Sequence, residues 1–308
     1  MRAEETALLK RARGYSLIEL TAVLAIAGII GSTIGLLLLR QQRFYLGGSE
    51  LITTRQSVRD AIEVLSTDLR GMSVADTARL LADSAIEFFS AIGSSVVCQR
   101  LGDSEIGLSP AAGLTSFAIQ PDTGDLAVFY TDSGPSSQRW QRTRIVAFSS
   151  RVAATTCPPE SAFSGGSELG GSAGAAFFVS LQAPLNGEVH PGSPVRFVRR
   201  NRYSLYRASD GEWYLGYRRC NAIGPSICGT VQPVSGPYRP YSRDPTQSGL
   251  VFEYFDRAGA RVATSPMSLG RVDVTARAAS RQSLLLEGRR WVPSDSARVS
   301  VAIRNRLE

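Results

Sequence analysis

The chain has 308 residues, 43% of them apolar, which is enough to bury a core in one or two domains. Its formal net charge of +7 is a mild excess, suited to a solvated surface rather than to a dedicated nucleic-acid groove. The only lysine is Lys10, so a Schiff base, a phosphate-gripping Walker lysine and a Ser–Lys dyad are excluded beyond it. The arginine bias that replaces lysine is read as genomic composition.

From Tyr15 to Leu39 the chain is apolar, with Glu19 as its only charge. A helix over this run reaches about 37 Å at ~1.5 Å per residue, enough to cross a bilayer core. Lys10, Arg11 and Arg13 stand before it and should hold that end in the cytoplasm. The run is far longer than the ~7–15 apolar residues of a cleaved secretory signal. Glu19 is the anomaly, because a carboxylate inside a span is costly unless a partner neutralises it. No Lys, Arg or His lies between Glu19 and Arg40, so a partner has to come from elsewhere. If the chain were cut after Gly14, the new amino group of a neighbour's Tyr15 would serve. Ala27, Gly31 and Gly35 repeat every four residues, a spacing that lets helices approach closely in lipid.

Gly14-Tyr15-Ser16-Leu17-Ile18-Glu19-Leu20, with a basic leader before it and an apolar run behind, resembles the processing site of type IV prepilins and type II secretion pseudopilins. The resemblance implies that a prepilin peptidase cuts between Gly14 and Tyr15 and methylates the new N-terminus at Tyr15. It also implies that Glu19, fifth in the processed chain, pairs with a neighbour's N-terminus during filament assembly. Two departures are mild: Tyr15 stands where Phe is commonest, and no Pro interrupts the helix. Removing residues 1–14 would take away a net charge of +2 and leave +5.

Past Arg40, Leu51, Val58, Ile62, Leu65 and Leu69 form one stripe, with Arg55, Arg59, Asp60, Glu63 and Asp68 away from it. This predicts an amphipathic continuation of the helix, packed on a domain and ending at Arg70-Gly71, with Gly47-Gly48 as a place to bend. Strand signals follow at Ile86–Phe89, Ser95–Cys98, Thr115–Gln120, Leu126–Tyr130, Arg144–Phe148 and Ala176–Leu181. Residues 121–125 read as a hairpin loop, 158–175 as a Gly/Ser-rich surface loop, and 208–211 as a second hairpin between Arg196–Arg207 and Glu212–Arg218. Residues 220–249 read as an irregular excursion. Leu250–Asp256, Arg271–Ala276 and Ala297–Asn305 close the chain as strands. The Phe252-x-Tyr254-Phe255-Asp256-x-x-Gly259 pattern, Val272-x-Val274 and Val301-Ala302-Ile303 look like the larger minor pilins, the J-type pseudopilins and W-type minor pilins.

Cys98, Cys157, Cys220 and Cys228 all follow the span, on the exported side, where an even count suggests disulfides. Three pairings are possible. The turn-rich segment between Cys220 and Cys228 favours a local bridge, which leaves Cys98 with Cys157. A zinc site has neither the cysteine spacing nor the histidines. Gly170-Gly171-Ser172-Ala173-Gly174 matches a nucleophile elbow in pattern only, and the lone His190 sits in a turn-like context. Asp122, Asp125, Asp132 and Asp210 could ligate calcium but suit turn capping better. Tyr203, Tyr206, Trp213, Tyr214 and Tyr217 alternate with Arg196, Arg199, Arg200, Arg202, Arg207, Arg218 and Arg219. Stacking on single-stranded nucleic acid is one reading, and an apolar face backed by a solvated one is simpler.

The expectation is an α+β chain with four parts: a leader (1–14), a membrane and assembly helix (15–40), its amphipathic continuation (41–71) and an exported antiparallel β-rich head (72–308). The resemblance implies a non-enzymatic filament subunit, at or near the tip, without cofactor or metal. Its expected partners are other pilin or pseudopilin subunits, the prepilin peptidase and an inner-membrane assembly platform. The alternative is an adhesin or DNA-uptake head on a pilin stem. The head is several times the stem in sequence length, which argues for a low-copy subunit.

Overall fold

The computed structural model describes residues 16–72, 80–111, 113–131, 139–158, 160, 163, 175–262, 269–280, 283–286 and 289–303. Helix α1 runs unbroken through Leu17–Arg70. The strands are β1 (Leu80–Ala82), β2 (Ala85–Arg100), β3 (Glu105–Leu108), β4 (Ser116–Phe117), β5 (Leu126–Thr131) and β6 (Arg139–Val152). After one turn of helix α2 (Ala153–Thr156) come β7 (Ala175–Leu181), β8 (Pro194–Arg207), β9 (Trp213–Arg219), β10 (Gln232–Tyr238) and β11 (Leu250–Asp256). The chain closes with β12 (Leu269–Ala279), β13 (Leu284–Leu286), β14 (Arg289–Trp291) and β15 (Ser294–Ala302). Every strand pairing is antiparallel. The chain is thus α+β, one long helix on a large antiparallel β domain.

Strand order divides the head into two lobes. In one, β2, β3, β7, β6, β5 and β8 pair in succession and β8 returns to β2, so six strands close a ring. Its interior holds Ile92, Val97, Ile106, Leu108, Phe129, Ile145, Val195 and Phe197. Phe117 on β4 lies edge-on to Phe148, Phe177 and Phe197, with ring centroids 5.1–5.7 Å away. It comes close to β2 because Gly93 leaves the room there that a Cβ would fill. In the other lobe β8 continues to β9, β10, β12 and β11, with β15 on the far side of β12. Val58, Ala61, Leu65 and Leu69 of α1 share a core here with Leu215, Phe252, Val272 and Val274. β2 and β8 belong to both lobes, and a bulge between Ala91 and Gly93 bends β2 where it passes from one to the other.

Several expectations change. The two strands read at 86–89 and 95–98 are one 16-residue strand. Thr115–Gln120 narrows to Ser116–Phe117. Residues 121–125 turn the chain but make no hairpin, because β4 pairs with β2 while β5 pairs with β6 and β8. The 220–249 excursion contains β10, which carries a cis Gly236-Pro237 bond and irregular register. Strand β10 is broken by Pro233 and Pro237, residues that read as non-strand because proline cannot donate to a ladder. The 208–211 hairpin forms as read, with Gly211 at φ +87° supplying the left-handed turn. Gly71 caps α1, but in a right-handed conformation (φ −75°) with its N–H on the Thr67 carbonyl.

Candidate functional site

The first half of α1 stands clear of the head. Its apolar side chains from Leu17 to Leu46 are exposed, Leu17 at 82% and Ile29 at 67%. Such a surface is unstable in water and calls for lipid or neighbouring chains. The polar groups in it are tied inward. The hydroxyls of Thr21, Ser32 and Thr33 donate to the carbonyls of Ile18, Ile29 and Ile29 at 2.8–2.9 Å, which hides them from hydrocarbon. Glu19 sits in the first turn and has no hydrogen bond or ion pair among the described residues. Gly28, Gly31 and Gly35 face open space. The apolar run ends at Arg40 and Arg43, followed by Phe44 and Tyr45, whose rings meet edge-on 6.3 Å apart and stand exposed. Basic and aromatic residues at the end of an apolar run have the composition found where helices leave a bilayer. The helix is long and apolar enough to cross a membrane.

Gly14 and Tyr15, the cleavage and methylation positions of the sequence reading, lie outside the described residues, as do Asp132 and the Gly170–Gly174 pattern. Gly47-Gly48 does not interrupt the helix, which continues through both.

The second half of α1 is fastened to the head by packing and by polar contacts at several heights. Glu50 accepts a hydrogen bond from Ser280 at 2.5 Å. Ser57 donates to the Gly236 carbonyl at 2.7 Å, and Tyr238 donates to the Ser57 carbonyl at 2.6 Å. Tyr203 donates to Asp68 at 2.5 Å. Asp68, placed on the solvated side by the sequence pattern, is therefore part of the docking face. Burial pushes its carboxyl above the usual range, against the pull of the Tyr203 hydroxyl. Leu51 and Ile62, read as core, are half-buried, while Ala61 and Ser57 fill the interface.

The arginines of β8 depart most from expectation. Arg199 and Arg200 are buried, not solvated, because β8 has β2, β5 and β9 around it. Glu87 on β2 has no exposed surface and holds Arg200 and Arg202. Its Oε1 accepts from Arg200 Nε at 2.6 Å, and its Oε2 accepts from Arg202 Nε and Ser226 Oγ, each at 2.7 Å. Burial pushes the Glu87 carboxyl up, but the Ser226 hydroxyl and the two arginines outweigh it and hold it below the ordinary value. Alongside, Asp125 takes Arg199 in a two-pronged contact at 2.9 and 2.7 Å and Arg219 at 3.0 Å, while Asp122 takes Arg219 at 3.0 Å. These groups lie where β8 passes between the lobes. The alternation of Arg and aromatics signalled a two-faced strand. Nothing in it signalled that carboxylates 70 to 115 residues upstream would cover the charged face. Neutralising these four arginines lowers the positive potential that a nucleic-acid surface needs.

Both disulfides of the sequence reading are formed, Cys98–Cys157 and Cys220–Cys228. The local bridge closes a loop held from beneath by Ser226 on Glu87 and by Arg200 on the carbonyls of Asn221 and Gly224. Among the described residues, Glu87, Cys220 and Cys228 are the one group of metal-type donors within reach of one another. Bridged sulfurs and an arginine-neutralised carboxylate do not make a metal-ligand set. Asp122, Asp125 and Asp210 bind backbone N–H groups or side chains of their own turns, the capping role. His190 is exposed in a turn with Ser193.

Among the described residues the arrangement is an exposed apolar stem bearing one carboxylate, Glu19, fixed to a cross-braced head. No family model, no curated protein and no solved structure matches the chain.

Proposed function

We propose that this chain is a structural subunit of a filament of the type IV pilus or type II secretion pseudopilus class, with a pilin-like fold. A prepilin peptidase would cut between Gly14 and Tyr15 and methylate Tyr15. The stem would then hold the protein in the inner membrane with its head on the exported side, until an assembly platform draws it into a filament. Within the filament, Glu19 is neutralised by the N-terminal amine of a neighbour, and Ala27, Gly31 and Gly35 let stems approach. The work is non-covalent, and the protein is not an enzyme. The size of the head, which would crowd a repeating shaft, favours a position at or near the tip, in few copies.

The observation that carries this reading is Glu19, an unpaired carboxylate in the first turn of a 54-residue helix whose N-terminal half is exposed and apolar. An anchor alone has no use for such a group, which is costly in lipid. The test is intact mass, measured on protein from cells with and without a prepilin peptidase. A mass that starts at methylated Tyr15 only in the presence of the peptidase is expected. Retention of Met1–Gly14 in both overturns the proposal.

A further inference from the structure

β12 has β11 on one side and β15 on the other. In an antiparallel ladder each residue turns its N–H and C=O to the partner or away from it, in alternation. The Ser280 N–H donates to the Pro293 carbonyl at 2.8 Å, and the Ile303 N–H to the Gly270 carbonyl at 2.9 Å, one bond at each end of the β12–β15 ladder. The register between them has no bulge. Asp295, Ala297, Val299 and Val301 therefore turn their backbone groups to β12, while those of Ser294, Ser296, Arg298, Ser300 and Ala302 point outward. The outward groups of β11 are taken by the chain itself. Phe252 donates to the Asp83 carbonyl, Asp256 donates to the Ala260 carbonyl, and the Tyr254 carbonyl accepts from Val262, at 2.8–2.9 Å. On β15 the Ser296 N–H is held by the Asp295 carboxylate at 2.9 Å. The outward N–H and C=O groups of Arg298, Ser300 and Ala302 have no partner among the described residues, and all three residues are exposed.

β15 carries none of the devices that guard a free edge, neither proline nor lysine nor bulge. Its two faces differ. Ala297 and Val299 are half-buried and pack on the core of the second lobe, as does Ile62 of α1. Ile62 stands about two helical turns beyond Arg55, whose guanidinium lies 4.0 Å from Asp295 of β15, so both are on the same flank of α1. An apolar seam between α1 and β15 is thus left half-covered beside the free edge. The other face of β15 is polar, with Ser294, Ser296, Ser300 and Arg298, whose guanidinium is held by Glu253 and Asp273.

We infer that β15 is a docking edge for an extended segment of another polypeptide, which joins the sheet as an antiparallel strand. The backbone of that segment takes up the outward groups of Arg298, Ser300 and Ala302. Its side chains alternate, apolar toward the α1 seam and small and polar on the outer face. A second copy of this chain does not fit. Ser280, bonded to Pro293, reaches Glu50, and Asp295 reaches Arg55, so β15 advances along α1 in the same sense as the helix. Two β15 strands paired antiparallel would point their stems in opposite directions, which one membrane forbids. That exclusion rests on the reading of α1 as a membrane stem.

The test follows amide hydrogen exchange, residue by residue, on the full oxidised chain in detergent micelles. The probe is an acetylated, amidated peptide as long as β15 in which valine alternates with threonine. The amides of Arg298, Ser300 and Ala302 should exchange fast in the free chain and slow down with the peptide, while Val299 and Val301 stay slow throughout. In an antiparallel pair the threonines, on the outer face, turn their N–H groups to β15. N-methylation of every threonine should therefore abolish binding, and N-methylation of every valine should leave it unchanged. Ser300→Pro removes an N–H that points away from β12. It should leave thermal unfolding of the head in place and weaken the peptide about tenfold. A monomeric chain whose Arg298, Ser300 and Ala302 amides ignore millimolar peptide, or the reverse methylation pattern, overturns the inference and leaves the stem reading standing. A dimer in which those amides are already slow gives the edge to a second copy and overturns the stem reading with it.

Discussion

Glu87 carries its charge with no solvent contact, and the two arginines and the serine around it decide what that costs. Removing one partner of a buried pair leaves the other uncompensated, typically at 3–5 kcal/mol. Glu87→Ala is therefore expected to destabilise the head by about that much in denaturant titration, where a surface ion pair contributes less than about 1 kcal/mol. The pH dependence follows in sign. The Glu87 carboxyl is held below its ordinary 4.5 in the fold. Its contribution is complete above that value and is lost as the pH falls through the depressed one. Asp68 acts in the opposite sense, because its carboxyl is raised and ionising it opposes folding as the pH climbs past 3.8. In acid titrations of stability, Glu87→Gln should flatten the slope below about pH 4.5, and Asp68→Asn should steepen it. Glu19 belongs to the same scale with a different readout. Glu19→Gln should leave the thermal unfolding of the head unchanged while lowering recovery in filaments by an order of magnitude, as expected when ~1.4 kcal/mol of assembly energy is lost.

Among the elements, α1 was the most legible in the sequence, because a 3.6-residue period over 20 positions and a 25-residue apolar run are both long signals. Leu65 lies at the centre of its docking face and is fully buried. Leu65→Ala is expected to cost about 2–5 kcal/mol, read as a shift of the denaturation midpoint at constant slope. The two cysteine pairs were legible from spacing and turn content. They differ in loop length, with sequence separations of 59 and 8. On loop-closure grounds, replacing Cys98 and Cys157 by Ala should cost about 4 kcal/mol, and replacing Cys220 and Cys228 about 2.5. The reverse order would show that strain, not chain entropy, governs these bridges. β10 was not legible, because Pro233, Gly236 and Pro237 argue against a strand, and its place between β9 and β12 is set by tertiary pairing. β2 was read in two pieces because Ala91, Gly93 and Ser94 interrupt its apolar pattern at the bulge. The buried arginines were out of reach, since periodicity reports which side a residue faces and not what covers that side.

At the scale of the whole molecule, the α+β division was legible, but the closure of six strands into a ring was not. It depends on β8 returning to β2 across about 110 residues, and no local pattern encodes that. What joins the halves is one continuous helix. With no proline and no interruption at Gly47-Gly48, and with hydrogen bonds to the head at Glu50, Ser57 and Asp68, it sets the bearing of the head on the stem. The head is thus phased to the stem like a crank on a shaft. Inserting one residue between Gly47 and Gly48 would turn the head by about 100° and lift it by about 1.5 Å. Inserting seven would lift it by about 10 Å but return it to within about 20° of its bearing. If neighbouring heads must meet at a set angle, the longer insertion should assemble better than the shorter one. That inversion of the usual penalty for added length is measurable as the fraction of each variant recovered in filaments.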